Sequence, residues 1–504
     1  MCFSSPPSMN SRDGVGRLAD HSVTKHASVW DMDGTVLSTD VFAESLLMIA
    51  FRQPWKLPAV AMWLVRGRGY CKGRVAELVE AQWTAWPLRR EVADQIAAAR
   101  SNGFQCVLAT AAHTTVAQRI AAQTGLFDTV LASSDSINLK GSLKRDAIRN
   151  WMEQSGHTSY SYGGDSPADL PIWKDADEAL VVQPSARLES RVRALGKPVT
   201  VVGKRSSLLG DLARAMRPHQ WAKNLLLFIP MVLAHRIDVA TFCAVLTGFI
   251  AFSLCASAVY VLNDLGDLSS DRLHPRKRHR PFADGRLTIK DGGVLFIGLL
   301  TASFTASALG LPWQFAALLG VYLITNVGYS AWLKRKPLLD VLMLAGMYAL
   351  RIEAGGVAAD VPLSPWILAF SLFFFTSLAF AKRYTELRRA IARGAGQPAG
   401  RGYEVDDVGL LESLGTASGY VSILVLALYM NSPAMHSLYG DNRLLWLVCP
   451  LVMYWITRVW LLAKRGALHD DPVVFAMTDR VSLSIALLCA GLVGGASFLR
   501  SIGQ

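Results

Sequence analysis

From residue 224 onward the chain is built of apolar runs of membrane-spanning length separated by polar loops, whereas residues 1 to 205 contain no unbroken run of that kind. The runs fall at 224 to 235, 240 to 263, 292 to 309, 312 to 332, 337 to 359, 365 to 381, 414 to 433, 444 to 463 and 481 to 499, which predicts nine spans. The long apolar stretch of the first half, Leu46 to Val65, is broken by Arg52, Gln53, Pro54 and Lys56. The pattern therefore divides the chain into an N-terminal part and an all-α polytopic membrane part over residues 206 to 504.

Charge refines this picture. Of the loops between runs, one side holds Arg272, Arg276, Lys277, Arg278, Arg280 and Arg286, then Lys334, Arg335 and Lys336, then the basic stretch Lys382 to Arg401; the opposite loops hold little beyond Arg236 and Arg443. Lys and Arg crowd the cytoplasmic loops of membrane proteins, so the basic loops are expected inside a bacterial-type cell membrane, together with the N-terminal part, whose first 27 residues show no secretory pattern. The first 26 residues read as a disordered segment. The net charge of +12 then reflects these loops and anion sites, without nucleic acid as a partner. The seven cysteines show no C-x-x-C spacing, which argues against a disulfide framework or zinc site. Composition leaves homo-oligomerisation open.

The run N-D-L-G-D-L-S-S-D leaves the second span with Asn263, Asp264, Asp267 and Asp271. On a continuous helix the three carboxylates fall at i, i+3 and i+7 and share one face. Carboxylates so close repel unless a divalent cation bridges them, which outlines a Mg²⁺-diphosphate site.

In the N-terminal part, Val29-Trp30-Asp31-Met32-Asp33-Gly34-Thr35 places two acids at the end of a β-like segment, where open α/β sheets carry their sites. Cys106 to Thr110 ends a second such segment, Lys144 follows Lys140-Gly141-Ser142-Leu143, and Tyr162 to Asp169 closes a third with Asp165 and Asp169. In this order the four segments resemble the haloacid dehalogenase superfamily over residues 27 to 205. The resemblance implies a Rossmann-like α/β phosphatase domain with a helical cap at about 41 to 95, whose Trp55, Trp63, Trp83 and Trp86 belong to the cap core or meet the membrane surface. It also implies Asp31 as nucleophile, Asp33 as general acid and base, Thr110 and Lys144 as phosphate-binding groups, and Asp165 with Asp169 as Mg²⁺ acids.

The membrane part reads R-P-H-Q-W-A-K-N at Arg217 to Asn224, then the Asp run, then H-P-R-K-R-H-R-P-F-A-D-G at His274 to Gly285 and Y-S-A-W-L-K-R-K-P-L-L-D at Tyr329 to Asp340. These segments resemble the UbiA superfamily of intramembrane prenyltransferases, and within it the polyprenyl-phosphate phosphoribosyltransferase branch. Other members carry a second acidic motif after the sixth span, where this chain has Ala381-Lys382-Arg383-Tyr384-Thr385-Glu386. Cations suit a phosphate on the acceptor better than a second metal cluster.

The resemblance implies substrate binding by Arg217, Lys223, Asn224, Lys277, Arg280, Lys334, Arg351, Lys382, Arg383 and Glu386, with Tyr329 and Asp340 shaping the donor pocket and Asp470, Asp471 and Asp479 beside the site. It implies Mg²⁺ in both parts, a polyprenyl phosphate and phosphoribosyl diphosphate as substrates, and a phosphatase that acts on the lipid-linked product. Prenyl transfer from a prenyl diphosphate to an aromatic or other acceptor, and a membrane scaffold carrying a phosphatase, are the alternatives the same residues leave open.

Overall fold

The computed structural model describes residues 25–79, 86–394, 401–432, 435, 439, 443–468 and 471–503. The expected N-terminal disordered segment up to residue 24, Trp83 and Asp470 lie outside them. The chain forms two compact units, one of Met1–Phe42, Pro58–Ala81 and Leu88–Arg205, the other of Ala43–Leu57, Gln82–Pro87 and Ser206–Gln504.

The first unit holds six parallel strands: β1 His26–Trp30, β2 Gln105–His113, β3 Thr129–Ser133, β4 Ser159–Gly164, β5 Glu178–Val182 and β6 Val199–Val202, in the order β3-β2-β1-β4-β5-β6. The inner strands are buried on both faces, which is why β2 and β5 carry the continuous apolar runs Cys106 to Ala109 and Ala179 to Val182 instead of alternating ones. Ile148 and Met152 of helix Ser142–Ser155 and Leu188 and Val192 of helix Ala186–Arg193 join Val29, Val107, Tyr162 and Val181 in one core cluster. The order reverses on either side of β1, so its carboxyl end opens into the crevice where parallel sheets bind ligands. The expected insert is helical, with helices Val41–Arg52, Leu57–Arg66 and Arg68–Val79. Trp55 is 71% exposed and so belongs to no cap core.

In the second unit, seven helices are long and apolar enough to cross a membrane among the described residues: Val239–Gly266, Ile289–Gly310, Leu339–Ala359, Pro365–Ala392, Val405–Met430, Arg443–Lys464 and Arg480–Ser497. Nine were expected, and two of the runs behave differently. The run at 224 to 235 spans the end of a 3₁₀ segment, Pro218–Phe228, and a short helix, Ile229–Leu233, because Pro218 and Pro230 restart the backbone twice. The run at 312 to 332 is a helix, Trp313–Ala331, that carries Gln314, Asn326 and Ser330 and falls short of the apolar character of the other seven.

Between spans, buried indole N–H groups reach hydroxyls of neighbouring helices: Trp460 donates to Ser377 at 3.0 Å, Trp455 to Ser482 at 2.9 Å and Trp221 to Ser257 at 2.9 Å. The first of these bonds fixes the Trp460 ring against Gly415, where a Cβ would collide with the ring and lie 2.7 Å from Phe380 Cβ. A ring held by its own hydrogen bond has no cheap route aside. Gly415→Ala is therefore predicted to cost about 1–3 kcal/mol through overpacking. A melting temperature in detergent equal to that of the unaltered protein would contradict this packing argument.

Candidate active sites

The first site is assembled at the carboxyl ends of β1, β2 and β4. Asp31 follows β1 directly, and its Oδ1 accepts the Met32 N–H at 2.8 Å and Lys144 Nζ at 2.9 Å. Gly34, at φ 81°, turns the chain back so closely over Asp165 that a Cβ there would collide with the carboxylate. Asp169 closes a capping box with Ser166, while Tyr162 Oη donates to its Oδ1 at 2.9 Å and accepts from Lys144 at 3.1 Å. Lys144 also lies 3.5 Å from Asp169. Thr110 is fully buried within β2, just before the register with β3 shifts, its Oγ1 accepting the Ala112 N–H at 3.0 Å.

Among the described residues, Asp31, Asp165 and Asp169 are the one trio placed to hold a metal ion, with ligand atoms within 4.8 Å of one another. Their electrostatics fit a cation. Burial, followed by the Asp31 and Asp169 charges, pushes Asp165 up to about 7; burial also raises Asp31, to about 6, against the attraction of Lys144. Asp33 donates nothing to the trio: its Oδ1 accepts the Val41 N–H at 3.0 Å, and burial with the Asp40 charge pushes it up to about 8. Tyr162, which bridges Lys144 and Asp169, was not marked as a site residue, although it opens the same motif as Asp165.

In the second unit the expected single acidic face is divided. The helix Val239–Gly266 ends before Asp267, whose φ of −101° and ψ of 12° leave the helical region, and a short helix restarts at Leu268. The i, i+3, i+7 geometry needs an unbroken helix, so it does not hold here. Asp264 and Asp271, both buried, converge on Arg280 at 3.0 and 2.5 Å, with Arg217 on Asp264 and Lys277 3.8 Å from Asp271. Asp267, with a 42% exposed side chain, instead meets Lys334 at 3.4 Å. Asn263 lies half-buried on the last turn of the same helix. The Asp271 Oδ1 atom is buried and takes no hydrogen bond, and the cation it faces is Lys277, at 3.8 Å.

The remaining predicted residues form three further groups. Lys223 and Lys382 both reach Asp471 Oδ2, at 2.5 and 3.4 Å. Arg383 is buried between Asp340 and Glu386, each at 2.5 Å, and donates to Tyr329 Oη at 2.7 Å. Arg351 donates to Asn224 Oδ1 at 2.9 Å and to Tyr322 Oη at 3.2 Å and lies over the rings of Phe252, Tyr322 and Tyr348. Asn224 in turn donates to Ser253 at 2.9 Å. Arg401, Tyr403 and Tyr322 were missed. Arg401 donates to Tyr329 at 2.9 Å and Tyr403 to Asp340 at 2.6 Å, and their place in the basic segment after the sixth expected span is the signal that marks them. Tyr322, 29 residues from Arg351, has no such signal.

Comparison with known proteins identifies both parts of the chain. Residues 225–482 match the UbiA prenyltransferase family, and residues 28–174 match the haloacid dehalogenase-like hydrolases. The chain is 38% identical over 468 residues to an uncharacterised protein, y4nM, of Sinorhizobium fredii, a match covering 92% of this chain and 89% of the relative. It is 35% identical over 284 residues to nodulation protein NoeC of Azorhizobium caulinodans, covering 55% of this chain and 91% of NoeC. It is 29% identical over 310 residues to decaprenyl-phosphate phosphoribosyltransferase of Mycolicibacterium smegmatis, covering 59% and 95%. The chain belongs to the UbiA prenyltransferase family, as a multi-pass membrane protein that carries a haloacid dehalogenase-like domain ahead of its transferase domain.

Proposed function

We propose that the membrane domain transfers 5-phosphoribose from phosphoribosyl diphosphate to a polyprenyl phosphate, and that the N-terminal domain removes the 5-phosphate from the lipid-linked product. The observation that carries this reading is the pair Lys223 and Lys382, two ammonium groups from separate elements directed at one oxygen. Such a pair suits an acceptor phosphate, and the similarity to decaprenyl-phosphate phosphoribosyltransferase supports it. Both active sites face the cytoplasm of a bacterial-type cell membrane in this reading, as the basic loops require.

Asp264, Asp267 and Asp271, with Asn263 beside them, would hold Mg²⁺ once Asp267 left Lys334 for the other two, and the ion would supply charge that stabilises the diphosphate as it leaves. Arg217, Lys277, Arg280 and Lys334 hold the donor anion, while Lys223 and Lys382 hold the acceptor phosphate. Its oxygen forms a bond to the anomeric carbon as the bond to the diphosphate breaks, and the electron pair departs with the diphosphate. The nucleophile is already ionised, so positioning two anions is the main task of the protein. Arg351, Asn224, Arg383, Glu386, Tyr329 and Asp340 brace that arrangement.

In the N-terminal domain Asp31 attacks the phosphorus of the 5-phosphoester, Asp33 gives its proton to the departing sugar oxygen, and water then cleaves the aspartyl phosphate with Asp33 as base. Thr110 and Lys144 hold the phosphoryl oxygens, and Asp31, Asp165 and Asp169 bind Mg²⁺. Joining the two steps in one chain raises the local concentration of the intermediate.

One observation favours a second reading, prenyl transfer. Arg383 gathers Asp340 and Glu386, so two carboxylates stand together after all, although the guanidinium between them takes up their charge.

Three measurements test these readings. Radiolabel from phosphoribosyl diphosphate is expected in a lipid extract when purified protein is given Mg²⁺ and a polyprenyl phosphate. Asp267→Asn is expected to lower the rate about 100-fold, as loss of a preorganised charge contact does. Absence of label, with turnover of a prenyl diphosphate, decides for prenyl transfer.

Asp31→Asn is predicted to leave transfer intact while the phosphorylated lipid accumulates, as read by mass spectrometry of the lipid fraction. Equal dephosphorylation by both proteins would remove the proposed second step.

The third measurement concerns pH. The folded-state values of about 6 for Asp31, about 7 for Asp165 and about 8 for Asp33 lie above those of the unfolded chain, so unfolding is favoured progressively as pH rises from about 5 to about 8. In EDTA the melting temperature of this domain is expected to fall over that interval and to recover on adding Mg²⁺. A profile in EDTA that rises with pH would contradict the electrostatic assignment.

A further inference from the structure

Asp471 is held as a bound anion would be. Its Oδ2 receives Lys223 Nζ from the segment Pro218–Phe228 and Lys382 Nζ from the helix Pro365–Ala392, and its Oδ1 accepts the N–H groups of Val473 and Val474 at 3.1 and 3.4 Å. The side chains of Lys223 and Asp471 are 11% and 16% exposed, so the contacts are largely shielded from water. Among the described residues, one carboxylate faces both ammonium groups, and Glu386 is a further acid whose charge Lys382 feels. A phosphate monoester dianion would match both, and it brings three acceptor oxygens where the carboxylate has two.

We propose that Asp471 is an internal competitor for the acceptor phosphate: it fills the seat made by Lys223 and Lys382, and a phosphoryl group enters by displacing it. This rests on the assignment of those lysines to a phosphoryl group and deepens it, because it gives the seat a selection rule. A ligand must beat a tethered carboxylate, so carboxylates and other monoanions are refused, while a doubly charged phosphate is admitted. The tether also keeps both lysines charged and aimed while the seat awaits its ligand, which lowers the ordering cost when the phosphate arrives.

The alternative is that Asp471 only caps the helix Pro472–Thr478. Serine separates the two roles, since it caps helices well and carries no charge. Farnesyl phosphate and inorganic phosphate are the probes, titrated against full-length protein in detergent without Mg²⁺. Asp471→Ser is expected to lower the Kd of farnesyl phosphate about tenfold, as removal of a competing charge at close range does. The KM for the lipid phosphate should fall with it, and Lys223→Gln in the same background should abolish the gain.

A tenfold gain for inorganic phosphate as well would mean that the seat reads the phosphoryl group alone; a gain confined to farnesyl phosphate would mean that the lipid is also read. Unchanged or weaker binding of both probes, in Asp471→Ser and in Asp471→Asn, would overturn the proposal and leave the aspartate a helix cap. A gain in phosphate affinity without any phosphoribosyl transfer by the unaltered protein would keep the seat and remove the donor assignment.

Discussion

A charge taken out of water must be matched, and that constraint shapes both units. An isolated ionised carboxylate in a low-dielectric interior costs many kcal/mol, and Asp31, Asp169, Asp211, Asp264, Asp271 and Asp340, all buried, each stand against a cation. The two domains meet the requirement in opposite ways. In the α/β domain three carboxylates lie together and Lys144 meets two of them, Asp31 and Asp169, so burial and mutual repulsion appear as raised proton affinity at Asp31 and Asp165. In the membrane domain cations are abundant, and Asp264, Asp267, Asp271, Asp340 and Asp471 each stand against at least one of them.

The contrast follows from where the backbone delivers the residues. Parallel strands end side by side, so the acids after β1 and β4 arrive close together, and the hydrogen bonds of Tyr162 and Ser166 hold Asp169 in place. The membrane domain brings its polar groups from the ends of several helices that pack through apolar faces. Long Arg and Lys side chains cross the gaps between them, as Arg280 does from the loop after the Asp run and Arg383 does from within a span.

Much of this was legible in the residues. The apolar runs separate the membrane domain from the α/β domain because hydrocarbon demands long uninterrupted segments. The strand-ending motifs locate Asp31, Thr110 and Asp165, since a Gly after a carboxylate permits one kind of turn. What the runs do not decide is span number: Pro218 and Pro230 turn one into a 3₁₀ segment and a short helix, and polar residues lower the apolar character of another.

The sequence by itself determined which residue types occupy each domain, the order of the phosphatase-like motifs and the run of acids at the end of a span, because each depends on neighbours within a few positions. Only the tertiary structure decided how those charges pair. The break at Asp267 splits the acidic run between Arg280 and Lys334, and Asp471 meets Lys223 from 248 residues away. Tyr322 joins the contacts of buried Arg351 with no local sign of it. Pairing over such separations follows from which helix ends the packing brings together, and no spacing along the chain encodes that.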